Sequence, residues 1–117
     1  MIELHLSIRL PRHNKRSLLD AFQFVATWAR AEHGCLGVEL YFSVSDSSRL
    51  CYVESWKSED ELQSMLRSHH FSQLIALTEL AVEFVGLEFR VINEVHGLGF
   101  AAEVLKETPF TEPKRHY

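Results

Sequence analysis

The residues best equipped for chemistry crowd into one short stretch, Arg49 to Phe71, which reads RLCYVESWKSEDELQSMLRSHHF. Tyr52, Glu54 and Trp56 alternate along an extended segment, so a phenol, a carboxylate and an indole fall on the same face of a strand. The chain then turns into a helix and leaves it at His69-His70-Phe71. Trp56 offers a flat apolar ring with one N–H donor, and Tyr52 a phenolic hydroxyl able to bond a ligand oxygen. Glu54, set between two aromatics, needs a partner if buried. Arg9 or Arg90 is the expected counter-charge, and use as a base comes second. His70 has the side chain best suited to take a proton near neutral pH. Read as a helix C-terminal residue, it would equally serve as a partner for the helix dipole. Trp56 and Tyr52 have plain core packing as their competing role.

Metal chemistry finds less support. The chain has seven histidines, but none forms an HxH or HxxxH pair, and the adjacent His69 and His70 point in different directions. The two cysteines, Cys35 and Cys51, form no CxxC motif. With Asp46-Ser47-Ser48 as a hairpin turn, Cys51 falls opposite about position 43, some eight residues from Cys35, or on the order of 25 Å along the strand. No disulfide is expected.

The rest of the chain must build a sheet and helices around that stretch. Ile2, Leu4, Leu6, Ile8 and Leu10 alternate with Glu3, His5, Ser7 and Arg9, a half-buried strand stopped by Pro11. Asn14 or Ser17 is expected to cap a helix reaching about His33, with Ser17 and Asp20 as a capping-box pair. Its apolar stripe holds Leu18, Leu19, Phe22, Val25, Ala26 and Ala29, while Phe24 and Trp28 stand off centre, placed to widen that face or meet another subunit. Gly34 fits the left-handed position past the helix end. Strand two, Cys35–Val44, and strand three, Arg49–Trp56, form a hairpin. Both faces of strand three carry apolar residues, so sequence leaves open which face meets the helices. Ser58-Glu59-Asp60-Glu61 is a capping box opening a helix with Leu62, Met65 and Leu66 on its apolar face. A second helical piece is expected from Ser72 through Leu80, and a fourth strand from Phe84 to Val95. Then follow a His96-Gly97-Leu98-Gly99 turn, a short helix from Phe100 to Glu107, and a polar tail from Pro109 to Tyr117. The order β-α-β-β-α-β predicts an α+β, ferredoxin-like fold with a four-stranded antiparallel sheet, occupying residues 1–96 and followed by a C-terminal helix and tail over 97–117.

Composition narrows the function classes. At 117 residues, 46% hydrophobic and 24% charged, the chain suits one soluble domain. A net charge of -4 and pI near 5.9 exclude a basic nucleic-acid face, and Arg12, Lys15 and Arg16 read as a solvated helix start. No apolar run is long enough to span a membrane. The sequence opens on a strand rather than a secretory leader, so a reducing, cytoplasmic setting is expected. The sheet face away from the helices keeps Val, Phe, Tyr and Cys among its polar residues, which points to a homodimer covering it.

The quoted residues also carry a family resemblance. Glu54-x-Trp56, the following Ser58-Glu59-Asp60-Glu61-Leu62, the Ser68-His69-His70-Phe71 exit, and Gly34-Cys35-Leu36 before a strand ending in Tyr41-Phe42 resemble the antibiotic biosynthesis monooxygenase superfamily over roughly residues 2 to 95. The resemblance implies a dimeric α/β barrel of two ferredoxin-like subunits. Haem-degrading members use an Asn on strand one, a Trp matching Trp56, and a His on the later helix. Here strand one has no Asn and the helix position is Ile75, which argues against haem. The cofactor-free members oxidise electron-rich phenols or hydroquinones with O₂, the deprotonated substrate itself supplying the electrons. The reading is therefore a monooxygenase acting on a quinol or aromatic polyphenol with no cofactor and O₂ as co-substrate. His70, Trp56 and Tyr52 are its catalytic candidates, and Glu54, His5, Phe22, Met65 and Leu66 its small-aromatic-substrate contacts. A non-enzymatic ligand-binding or stress-response protein is the alternative. An isomerase or decarboxylase would need a polar pocket centred on His5 and Arg9. A cavity reached by His70 and Trp56 favours chemistry; one filled by Phe22, Met65 or Leu66 favours the non-enzymatic reading.

Overall fold

A computed structural model describes residues 1–107; the predicted tail from Pro109 lies outside the described residues. The elements run β1 (Ile2–Arg9), α1 (Lys15–Arg30), β2 (Cys35–Phe42), β3 (Arg49–Trp56), α2 (Glu59–Leu66), α3 (His69–Thr78), β4 (Glu83–Val91) and α4 (Leu98–Glu107). The four strands make one antiparallel sheet in the order β2-β3-β1-β4, the ferredoxin-like arrangement that the sequence predicts.

Strand alternation builds the core as expected. Ile2, Leu4, Leu6, Ile8 and Leu10 are buried against Leu18, Phe22, Val25, Ala26 and Ala29 of α1. The β1–β3 register answers the question the sequence left open. Ile2 lies opposite Trp56, Leu4 opposite Glu54, Leu6 opposite Tyr52 and Ile8 opposite Leu50. Directly opposed residues share a face, so Leu50, Tyr52, Glu54 and Trp56 all point under the helices. Cys51 pairs with Tyr41 rather than with position 43, and both cysteines are free.

Several boundaries differ from the sequence reading. Helix α1 starts at Lys15, with Asn14 at its N-cap in the left-handed conformation (φ 62°) and making no side-chain cap bond. Ser17 and Asp20 therefore lie inside the helix, and it ends at Arg30 rather than His33. Gly34 is left-handed as expected (φ 87°). Strand β2 stops at Phe42, and a register shift between Cys35 and Gly37 turns Leu36 out to solvent. Strand β4 runs Glu83–Val91 rather than Phe84–Val95, with an irregularity opposite Ser7–Ile8. Leu98 and Gly99 belong to α4, not to a turn.

The largest revision concerns the histidines. Ser58 caps α2 by accepting from the Glu61 amide, as expected. That helix ends at Leu66, and a new one begins at His69, with Ser68 as its N-cap accepting from the Phe71 amide. The serine that restarts the helix is Ser68, not Ser72. His70 consequently sits in the first turn of α3, at the positive end of a helix dipole.

Candidate active site

β3 and the start of α3 bring four of the predicted residues together. Tyr52, Glu54 and Trp56 project from β3, and His70 comes down on them from α3; all four are at most 1% exposed. The Tyr52 hydroxyl donates to Glu54 Oε2 at 2.5 Å, and the Trp56 indole N–H donates to Glu54 Oε1 at 3.1 Å. Both carboxylate oxygens thus have a donor from the same strand. The counter-charges that sequence suggested are engaged elsewhere. Arg9 pairs with Asp46 and Glu83, and Arg90 with Glu88. The buried carboxylate is satisfied by aromatic donors rather than by arginine, and the period-two spacing that sets all three side chains on one face of β3 brings them together.

His70 closes the cluster. Its ring lies nearly parallel to the Trp56 indole, with centroids 6.1 Å apart and planes 13° apart, inside the range of favourable offset stacking. Nδ1 lies 3.0 Å from Ser68 Oγ, and 3.7 Å from Glu32 Oε1. The Ser68 hydroxyl donates its one proton to the Met65 carbonyl at 2.5 Å, so its oxygen is left to accept from Nδ1–H. On that pattern Nδ1 carries a ring proton. Nε2 is the one buried side-chain polar atom among the described residues without a hydrogen-bond partner, and it stands 3.5 Å from Glu54 Oε2. Ser68, which fixes the ring by capping α3, escaped the sequence reading; the Ser-x-x-Phe spacing around the second helix start was its only signal.

Electrostatically the cluster is acidic and dry. Burial, followed by the Glu54 charge and its hydrogen bond, drives the Tyr52 phenol far above its usual range. Cys35, paired across the sheet with Trp56, is also pushed up, chiefly by burial.

The other predicted contacts divide. Phe22 packs on Tyr52 with ring centroids 6.1 Å apart; Phe22 and Met65 are core residues, and Leu66 packs partly buried against them. They surround the cluster as solid core. His5 lies on the opposite sheet face, bonded to Glu3 at 2.8 Å. There it joins Tyr41, Cys51, Val53, Glu88 and Arg90 around an open groove of about 230 Å³. His5 and His70 therefore belong to different sites. Among the described residues no group of three or more His, Cys, Asp or Glu side chains is arranged to hold a metal ion, and no helix is long and apolar enough to cross a membrane.

A four-stranded antiparallel sheet with a buried Tyr-Glu-Trp-His cluster beneath its helices defines the class: an α+β, ferredoxin-like protein. Residues 1–77 match the family model described as antibiotic biosynthesis monooxygenase, and the chain belongs to that family. Solved structures agree in fold. A protein of Deinococcus radiodurans assigned as an antibiotic biosynthesis monooxygenase superposes with a TM-score of 0.73 at 17% identity, covering 83% of this chain and 97% of its own. Rv0793 from Mycobacterium tuberculosis gives 0.71 at 20% identity, covering 82% and 98%. A conserved protein from Methanosarcina mazei Go1 gives 0.67 at 18%, covering 80% and 92%. No curated protein matches the chain with significance.

Proposed function

We propose that the protein is a cofactor-independent, cytoplasmic, homodimeric monooxygenase that oxidises a quinol or aromatic polyphenol with O₂. The observation that carries this reading is the buried Nε2 of His70, a ring nitrogen with no hydrogen-bond partner, 3.5 Å from Glu54 Oε2 on a ring stacked against Trp56. Nε2 removes a proton from a substrate hydroxyl. The phenolate passes an electron to O₂, and the two radicals combine to form a carbon–oxygen bond. Cleavage of the O–O bond then releases water and leaves a new carbonyl. A hydroquinone plus O₂ thus gives a hydroxyquinone plus water, with all four electrons drawn from the substrate and no external reductant. The Trp56 N–H and Tyr52 O–H, released from Glu54 when substrate enters, donate to the developing negative charge. Entry requires α2 and α3, two short helices joined by Arg67 and Ser68, to lift from the sheet.

Tight filling by Phe22 and Met65 favours the second reading, a non-enzymatic binding protein whose polar cluster serves only to organise the core. Oxygen uptake by purified protein against a panel of hydroquinones separates the two. Turnover that falls at least 10²-fold in His70→Ala and several-fold in Trp56→Phe is expected. Absence of uptake with every compound, together with no binding of any, rules out the enzyme.

A further inference from the structure

Two apolar surfaces of this chain are left largely open by the described residues. The first is α4. Leu98, Phe100, Ala101, Ala102, Val104 and Leu105 fall on one side of a helix turning 100° per residue, with Gly99, Glu103 and Lys106 on the other. Every residue from Leu98 to Lys106 is exposed, Val104 at 50% and Leu105 at 57%. A helix with so clean an apolar side is built to be covered. The second surface is the helix-side face of β4. Phe89 lies opposite Leu4 and Val91 opposite Ile2, so both point toward the helical layer, yet they are 44% and 68% exposed. Phe84, opposite Ile8 and on the same face, is also exposed. Leu87, opposite Leu6 on the same face, is partly buried against the core, so the helical layer covers the middle of β4 and leaves Phe84 and the Phe89–Val91 end open.

The Cα radius of gyration is 18.5 Å, against about 13 Å for a compact chain of this length. Helix α4, exposed from Leu98 to Lys106, stands off the rest of the fold. It also lies outside the family match, which ends at residue 77.

We propose that α4 is an exchanged arm: the apolar side of α4 from one copy of this chain seats on the Phe84–Phe89–Val91 strip of β4 in a second copy. Exchange about a two-fold axis satisfies both surfaces of both chains at once. The exposed apolar side chain on α4 amounts to on the order of 400 Å², so two arms and their seats bury roughly 1,600 Å², the size of a standard stable interface. The arm completes the missing part of the helical layer, and the contact is distinct from packing through the His5 face of the sheet.

Two measurements on the full chain test this. Val104→Asp with Leu105→Asp changes only exposed positions. Sedimentation equilibrium is expected to show self-association weakened at least 10-fold; unchanged association, or a wild-type monomer, overturns the proposal. In a Cys35→Ala, Cys51→Ala background, a chain carrying cysteine at Phe84, Phe89 or Val91 is mixed with one carrying cysteine at Ala101 or Leu105. Oxidation is expected to link the two different chains for at least one pairing. A bond formed only within doubly substituted single chains, or no bond for any pairing, overturns it. Val53→Asp, on the His5 face of the sheet, separates the two contacts: a dimer and arm links that both survive it overturn only the sheet-face packing and leave the arm standing.

Discussion

Removing the Glu54 carboxylate tests whether aromatic donors alone hold a buried acid in this fold. Glu54→Ala leaves the Tyr52 hydroxyl and the Trp56 N–H, now at 2.5 and 3.1 Å from their acceptors, with none, in a site from which water is excluded. Each orphaned buried donor costs about 1–3 kcal/mol, and the space left by the side chain adds to that. A total loss of about 3–5 kcal/mol is expected. Glu54→Gln keeps the shape and one acceptor for Trp56, while its NH₂ meets the Tyr52 oxygen, so a single donor loses its partner and the loss is about 1–2 kcal/mol. Urea unfolding followed by tryptophan fluorescence measures both. In a Tyr52→Phe background, Glu54→Ala should cost at least ~1 kcal/mol less, since one of the two orphans is already gone. The reasoning is falsified if Glu54→Ala loses under 1 kcal/mol, or if the two substitutions add without coupling.

Tyr52 links the same cluster to pH. Its folded pKa is raised, by burial first and the Glu54 charge second, so its contribution is complete below the ordinary phenol value of about 10. Above that, the unfolded chain ionises while the folded one does not, and stability falls. Urea midpoints taken through that range should decline less steeply in Tyr52→Phe than in wild type; identical slopes would remove Tyr52 as the cause. Gly34→Ala forces a side chain into φ 87° and brings its Cβ to 2.6 Å from Glu61; a loss of about 1–2 kcal/mol by thermal unfolding is expected, and none would mean the turn is relaxed. Ser58→Ala removes the α2 cap and should cost about 1 kcal/mol, checked by the same melt.

Much of this protein was legible before any coordinates. The perfect alternation of Ile2 to Leu10, the Gly34 stop and the Ser58 cap are local devices, set by period-two geometry, left-handed backbone preference and helix-end hydrogen bonding. They fix the element order, and the element order fixes the ferredoxin-like sheet. The short segment from Tyr52 to His70 also names the four residues that end up together. What sequence left open was decided by contacts between distant segments. Strand register against β1 placed Glu54 and Trp56 under the helices, because a one-residue slip would have turned both to the other face. Ser68 rather than Ser72 restarted the helix, moving His70 from a helix's negative end to a positive one. Arg9 found Asp46 and Glu83 across the sheet, leaving Glu54 to Tyr52 and Trp56. The periodicity of α4 is plain in the sequence, but its exposure among the described residues is a property of the tertiary structure, since only the finished sheet shows where the helical layer ends.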